Sequence, residues 1–141
     1  MDFTLDPAID AIRRRIREFV ATEIVPLEGD PSAWGEGENI DEVRLDQVRA
    51  KARAAGLWAP QMPRERGGMG LPVVGMAACY EEMGWSIFGP CCFNASAPDD
   101  GNMILLNKTA TPAQKEKWLQ PIIDGKVRSS FVMTEPMPGA G

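Results

Sequence analysis

Over most of the chain the apolar residues repeat at three- and four-residue steps, the spacing that puts them on one face of an α-helix. The first such stripe predicts a helix from about Pro7 to Val25, capped by Asp6 and ended by Pro26. Its apolar members are Ile9, Ile12, Ile16, Phe19, Val20 and Ile24. The arginine triplet at 13–15 falls on the other face, where we expect it to be solvated.

Two further stripes follow. One begins at Asn39 or Asp41, either of which could cap it, and ends at Gly56, a residue type typical of a helix C-terminus. The next opens at Pro72 and continues through residue 83. Its expected buried face consists of Val73, Met76, Ala77, Tyr80 and Met83.

Two acidic residues at the end of this third stripe, Glu81 and Glu82, are adjacent in sequence. Neighbouring residues on a helix point about 100° apart, so the two carboxylates cannot share a substrate as a catalytic pair. We expect each of them to meet solvent or an ion-pair partner.

Loops rich in glycine and proline connect these helices. Residues 27–38 form the first loop, and its one large side chain, Trp34, is expected to fold back onto the bundle. Residues 57–70 form a turn-rich crossing with Gly67, Gly68 and Gly70 near its end. No strand precedes these glycines and no Lys-Ser/Thr pair follows them, so a phosphate loop is not indicated.

The last third of the chain changes period. An apolar stretch from 91 to 106 is interrupted by small and polar residues at 94–102, and Thr111 then begins a helix with a capping-box sequence. Pro121 bends or ends that helix, and Asp124-Gly125 turns the chain. Residues 127–134 alternate at a period of two, which predicts a strand.

An isolated strand needs partners, and the first 127 residues offer no convincing second strand. The prediction is therefore an all-α domain, a bundle of five or six helices over residues 1–127. Residues 128–141 are predicted to be the first strand and turn of a β-domain that continues beyond residue 141.

Composition narrows the function classes. With 44% hydrophobic and 25% charged residues, the 141-residue chain is typical of a soluble globular protein, and its net charge of −5 argues against nucleic acid as a partner. No apolar run is long enough to cross a membrane.

Three cysteines form neither a disulfide framework nor a metal-ligand pattern, so we expect no metal and a cytoplasmic location. Histidine is absent, which excludes Ser-His and Cys-His catalysis.

Six short motifs, taken in order, resemble the N-terminal part of the flavin-dependent acyl-CoA dehydrogenases. They are Gly56-Leu57-Trp58, Pro63-x-Glu65-x-Gly67-Gly68-x-Gly70, Glu81-Glu82-Met83-Gly84, Gly101-Asn102-Met103, Gln114-Lys115-x-Lys117-Trp118-Leu119-x-Pro121 and Gly125-Lys126-x-Arg128-x-x-Phe131-x-Met133-Thr134-Glu135-Pro136. Each motif is weak alone, but the ordered set covers nearly the whole chain.

The resemblance implies a helical domain followed by a β-domain and a four-helix domain, assembled as a homodimer or homotetramer. It implies α,β-dehydrogenation of an acyl-CoA thioester, with hydride transfer to FAD and onward transfer of electrons to an acceptor protein. It places Phe131, Met133 and Thr134 against the flavin, and Asn94 and Met103 in one wall of the acyl pocket. No residue of this chain matches the catalytic carboxylate, which the resemblance places beyond Gly141.

A second hypothesis remains open. The same fold could serve as a non-catalytic helical module for interaction or oligomerisation. Such a module would fold without binding FAD, whereas the protein that contains a dehydrogenase domain should purify yellow.

Overall fold

The computed structural model describes residues 4–36 and 39–134. Eight α-helical segments occur in them: α1 Pro7–Phe19, α2 Val25–Glu28, α3 Glu42–Ala54, α4 Val73–Met83, α5 Gly89–Cys92, α6 Asp99–Thr109, α7 Pro112–Gln114 and α8 Gln120–Ile123. The π-helical segment Val20–Ile24 joins α1 to α2, and a second one, Lys115–Leu119, joins α7 to α8. The described residues therefore make six continuous helices, which confirms the predicted helical bundle.

The first helix is longer than predicted. Asp6 caps it as expected, its carboxylate accepting the Ala8 N–H at 2.8 Å, but Pro26 lies inside the helix and does not end it. A proline normally clashes with the carbonyl of the residue four positions earlier. Here the π-helical turn widens the backbone before the proline, and the Val25 N–H bonds to the Val20 carbonyl five residues back. Pro121 follows the second π segment in the same way.

Both ends of α3 are closed by side-chain or backbone bonds that the sequence predicts. Asp41 is the cap, and its carboxylate accepts the N–H groups of Val43 and Arg44. At the other end Gly56 takes a left-handed φ of 69°, and the Leu57 N–H bonds back to the Ala52 carbonyl at 2.9 Å. Such a glycine stop needs a positive φ that other residues adopt with strain.

Short connections also follow the prediction. Trp34 folds back as expected: its indole N–H donates to the Glu28 carbonyl at 3.1 Å, and its ring meets Phe88 edge-on with centroids 4.6 Å apart. Residues 57–70 contain only one 3-10 turn, Arg64–Arg66. Thr111 and Gln114 form the full capping box.

The apolar interior has two parts. The larger cluster joins α1, the first π segment, α3, α4 and α5, and α1 packs along α4. The smaller cluster joins the 57–70 loop to α6 and α8, and its buried members are Trp58, Ala59, Met62, Met103, Leu119, Ile122 and Ile123.

The predicted inner face of α4 is right at Met83, which is fully buried, and wrong at Val73 and Ala77. Val73 and Ala77 are exposed, and the buried residues are Gly75, Ala78, Cys79, Glu82 and Met83. The small side chains let α1 approach α4 closely, since a Cβ at Gly75 would already lie 3.5 Å from the Ile9 side chain. The buried face is therefore the one whose small residues allow α1 and α4 to pack closely.

Glu82 is the charged residue on the buried face of α4. It is only 3% exposed and accepts hydrogen bonds from Arg13 and, at 2.8 Å, from Arg17. The prediction of a solvated arginine triplet is therefore wrong at Arg13, which also bonds Asp10 and is drawn toward α4 by the buried carboxylate. Ion pairing of Glu82 was correctly expected, but its burial was not.

The predicted strand does not form in the part of the chain that the structure describes. Residues 127–134 carry no ladder, because a strand is defined by pairing and none of the residues 4–36 and 39–126 supplies a partner strand. Gly125 turns the chain as predicted, with φ 67°. The predicted turn at 135–141 lies outside the described residues, and the division at residue 127 stays a prediction.

Among the described helices, none is both long and apolar enough to cross a bilayer. In the same residues no three acidic or cysteine side chains gather as metal ligands would.

Candidate functional site

The segment after Gly125 runs back over the start of α6 and is held there by one buried carboxylate. Asp99, the first residue of α6, is 2% exposed. Its Oδ1 accepts the Ser129 backbone N–H and the Ser129 hydroxyl, both at 2.6 Å, and its Oδ2 accepts from Arg128 Nε at 3.2 Å. Three donors on one carboxylate fix both the position and the direction of this short stretch.

Asn102 extends the same attachment. Its side-chain amide donates to the Ser129 hydroxyl at 2.9 Å and to the Ser130 carbonyl at 3.2 Å. Asp99 and Asn102 lie three residues apart, which puts them on one face of α6. Residues 128–130 are therefore tied to α6 by five hydrogen bonds from these two side chains.

Beyond Ser130 the side chains face solvent. Phe131 is 65% exposed and Met133 76%, while Thr134 is also exposed. Val132 is exposed as well. The period-two pattern of residues 127–134 therefore does not separate a buried face from an exposed face here. The fold anchors the root of the segment and leaves the predicted flavin contacts uncovered, and their contact with a flavin stays a prediction.

The two predicted pocket-wall residues are brought together by the fold. Asn94 is 3% exposed and has a left-handed φ of 56°, and its amide donates to the carbonyls of Ile122 at 3.0 Å and Ile123 at 3.3 Å. Met103 is fully buried, with its sulfur 3.8 Å from the same amide nitrogen. Asn94 thus links the loop between α5 and α6 to α8, and a role of either residue in an acyl pocket stays a prediction.

A second polar link, absent from the sequence prediction, joins α4 to α6. The Tyr80 hydroxyl donates to Asp100 Oδ1 at 2.9 Å. Burial raises the pKa of the Tyr80 hydroxyl, and the negative charge of Asp100 raises it further. Burial also raises the pKa of Asp100, while the bond from Tyr80 opposes that shift. Tyr80 thus remains a donor at neutral pH and fixes α6 next to the residue that anchors the exposed segment.

The cysteines are free thiols with contrasting environments. Hydrogen bonding to Cys92 lowers the pKa of Cys91 to about 7 against the effect of burial, with Arg49 adding to the decrease. The pKa of Cys92 is raised, first by its bond to Cys91 and then by burial. Burial raises the pKa of Cys79 to about 11. Among the described residues, no thiol hydrogen-bonds to residues 127–134, so the cysteines add no nucleophile to the exposed segment.

The anchoring residues were missed because their sequence signal is ambiguous. Asp99 and Asp100 stand at the start of a helix, where acidic residues are favoured by the helix dipole alone. Only the fold shows that one of them turns toward Ser129 and the other toward Tyr80. The serine pair after Arg128 gave the complementary hint, since small polar residues can donate to such a carboxylate.

Comparison with known proteins gives a consistent answer. The family profile "Acyl-CoA dehydrogenase, N-terminal domain" matches residues 6–126. Mouse acyl-CoA dehydrogenase family member 10 is 35% identical over 94% of this chain and 13% of its own length. FadE2 of Mycobacterium tuberculosis, named a probable acyl-CoA dehydrogenase, is 33% identical over 96% of this chain and 34% of its own length.

A solved structure gives the same match. It comes from Mycobacterium abscessus, is assigned to the acyl-CoA dehydrogenases, and superposes with a TM-score of 0.82 at 36% identity. The match covers 97% of this chain and 36% of the other. The chain therefore spans about a third or less of the length of these relatives.

Proposed function

Because the chain belongs to the acyl-CoA dehydrogenase family, as its N-terminal domain, we propose that it is the helical part of a flavin-dependent dehydrogenase. The reaction introduces a double bond between Cα and Cβ of an acyl-CoA thioester. Family membership rests on the profile match over residues 6–126 and on the relatives described above. Those relatives are longer, so the activity of the whole protein is part of the proposal.

One observation supports the proposal most directly: the exposed segment is anchored at its root and free at its tip. Asp99 and Asn102 hold residues 128–130, while Phe131, Met133 and Thr134 remain open to solvent. Large apolar side chains that are exposed to solvent on an anchored segment are typical of a surface that a ligand or another part of the protein covers. A cofactor together with a following sheet is the covering that the family implies.

The chemistry of these residues fits the polar edge and flat face of a flavin. Phe131 and Met133 can exclude water from the ring, and the Thr134 hydroxyl and nearby backbone N–H groups can donate to the ring's polar edge. FAD, when bound, is the acceptor of the substrate hydride. The residues of this chain would orient the ring and keep it dry, and the proton-abstracting carboxylate would come from outside residues 1–141.

The acyl chain of the substrate would lie along the region that Asn94 and Met103 organise. Their burial and mutual contact support a role in setting the shape of that wall. We further propose that the protein passes electrons to an acceptor protein, assembles as a homodimer or homotetramer, and works in the cytoplasm. The acceptor and the assembly rest on family membership, and the location rests on the three free cysteines.

Replacing Thr134 with alanine tests the cofactor assignment. We expect Thr134→Ala in the intact protein to weaken FAD binding or acyl-CoA-dependent acceptor reduction about tenfold, because one hydrogen bond to a charged or polarised group contributes about 1.5 kcal/mol. Flavin absorbance and turnover are the measurements. Thr22→Ala is the matched control, since the Thr22 hydroxyl bonds only to the Glu18 carbonyl in the first helix.

The two outcomes separate the hypotheses. Full flavin content and turnover in Thr134→Ala would refute the role of Thr134 while leaving the family assignment intact. A folded intact protein that is colourless and binds no added FAD would favour the non-catalytic interaction module.

A further inference from the structure

A cavity of about 410 Å³ lies between α1, the end of α3 and the glycine-rich loop. Three of the lining residues are arginines, Arg15, Arg53 and Arg64, and the apolar ones are Ile12, Trp58 and Met69. The remaining lining residues are glycines, and no acidic residue lines the cavity. Its volume falls in the range of small-molecule sites, roughly 300–1,000 Å³. A cationic, partly apolar cavity is unexpected on a chain whose net charge is −5.

The arginines of this chain divide into two groups. Six of them form an ion pair with a carboxylate: Arg13, Arg14, Arg17, Arg44, Arg66 and Arg128. The other four, Arg15, Arg49, Arg53 and Arg64, show no ion pair with a carboxylate of residues 4–36 and 39–134. Arg15, Arg53 and Arg64 line the cavity, and Arg53 lies 3.6 Å from the ring of Trp58 in its wall. Arg49 does not line the cavity but is buried next to this wall, 5.9 Å from the same ring.

Each of these four guanidinium groups donates to one backbone carbonyl. The acceptors are Ala55 for Arg15, Cys91 for Arg49, Asp124 for Arg53 and Met69 for Arg64. A guanidinium carries five N–H donors, so one carbonyl leaves most of its donors available. The bonds hold the side chains in place without neutralising their charge. The four guanidinium groups are therefore fixed in position, and each keeps N–H donors available for a ligand.

Arg53 lies near both like and opposite charges. Burial lowers the pKa of its guanidinium, the charge of Asp124 opposes this, the nearby Arg49 lowers the pKa again, and Asp46 opposes it. An anion that enters the cavity would relieve the repulsion between these cations. Planar guanidinium groups match phosphate oxygens by paired N–H donors.

We propose that this cavity binds a phosphate-bearing small molecule. The arginines contact the phosphate, and Ile12, Met69 and the edge of Trp58 contact its organic part. Space for the ligand exists beside Gly56 and Gly67, where an added Cβ would meet nothing within 4 Å.

The glycine-rich loop supplies room but not donors. The N–H groups of Gly67, Gly68 and Gly70 donate to carbonyls of Arg64, Pro63 and Met62 within the same loop. This agrees with the sequence, which lacks the features of a phosphate loop. Recognition of the phosphate therefore depends on side chains, and arginine substitutions are the direct test.

The test uses inorganic pyrophosphate as the probe and the intact protein, with excess FAD present throughout, in calorimetric titration. Arg15→Gln removes one cation while keeping a donor for the Ala55 carbonyl. We expect it to raise the Kd for pyrophosphate at least about tenfold, the usual effect of losing a charge-assisted hydrogen bond. Arg15→Lys keeps the charge but not the paired donors, so its Kd for pyrophosphate should lie between the values of the unmodified protein and of Arg15→Gln. Arg44→Gln, on the same helix as Arg53 and paired with Asp30 at 3.9 Å, is the control and should leave Kd unchanged.

Three results would overturn the proposal. The first is an intact, folded protein that does not bind pyrophosphate. The second is an equal loss of affinity in Arg15→Gln and Arg44→Gln, which would mean that only net charge matters. The third is binding of a short polyglutamate peptide in preference to pyrophosphate, which would make the cavity a docking point for an acidic protein segment. The proposal does not depend on the dehydrogenase assignment, since flavin content is measured separately in each sample.

Discussion

At the scale of single residues, Asp99 decides where the exposed segment leaves the bundle. Its carboxylate is almost completely buried, and the hydrogen bonds that it accepts within the described residues come from residues 128 and 129. A buried carboxylate needs several donors to remain stable, and the segment supplies them. The side chain and the segment therefore stabilise each other, and neither is expected to be ordered without the other.

Asp99→Asn tests this mutual dependence. The amide oxygen can still accept the two bonds from Ser129, but the NH₂ group then faces the Arg128 donor, so we expect the segment to lose about 1–3 kcal/mol of local protection. Hydrogen–deuterium exchange of the amides at 128–134 measures the change. Asp100→Asn is the control, because it removes the same charge while its oxygen can still accept from Tyr80. Equal exchange in both variants would show that Asp99 does not anchor the segment.

At the scale of elements, helix ends were predictable where capping chemistry is local. Asp6, Asp41, Gly56 and Thr111 act as their types suggest, since each cap needs only residues within three or four positions. The helix end predicted at Pro26 was wrong because a π-helical turn accommodates that ring, and such a turn has no simple sequence signature.

The same limit applies to the buried face of α4. Apolar spacing pointed to Val73, but close helix packing selected small residues and the ion-paired Glu82. Contacts between distant parts of the chain decide such a choice. For the site, the exposed residues Phe131, Met133 and Thr134 could be named from motifs, whereas their anchor at Asp99 required the fold.

The junction between α4 and α5 gives a prediction at this scale. A Cβ at Gly89 would lie 1.8 Å from the Met83 carbonyl oxygen, a backbone atom that cannot move aside easily. We expect Gly89→Ala to destabilise the fold by about 1–3 kcal/mol or more. In contrast, Gly101 lies within α6, and a Cβ there meets nothing within 4 Å. Gly101→Ala should therefore stabilise the helix by about 0.5–1 kcal/mol. Thermal unfolding followed by circular dichroism measures both, and a stable Gly89→Ala protein would contradict the close contact.

At the scale of the whole molecule, polar links add to the contacts made by the two apolar clusters. Tyr80 joins α4, in the larger cluster, to α6, in the smaller one. Glu82 joins α4 to α1, and Asn94 joins the loop between α5 and α6 to α8. Each link is buried or half-buried, so each one also restricts how the helices can pack. Because residues 128–130 are bonded to α6, these contacts also fix the position of the exposed segment.

Glu82 is the link whose removal should affect the whole molecule most. Glu82→Gln keeps the shape of the side chain but removes its charge, and it leaves a buried amide facing two guanidinium groups. Breaking a fully buried pair costs about 3–5 kcal/mol, but Arg17 is 57% exposed and can turn to water. We therefore expect a loss of about 1.5–3 kcal/mol in the free energy of unfolding, measured by urea denaturation. Glu81→Gln, at the exposed neighbouring position, should change stability by less than about 0.5 kcal/mol. Equal stability of the two variants would mean that apolar packing alone holds α1 against α4.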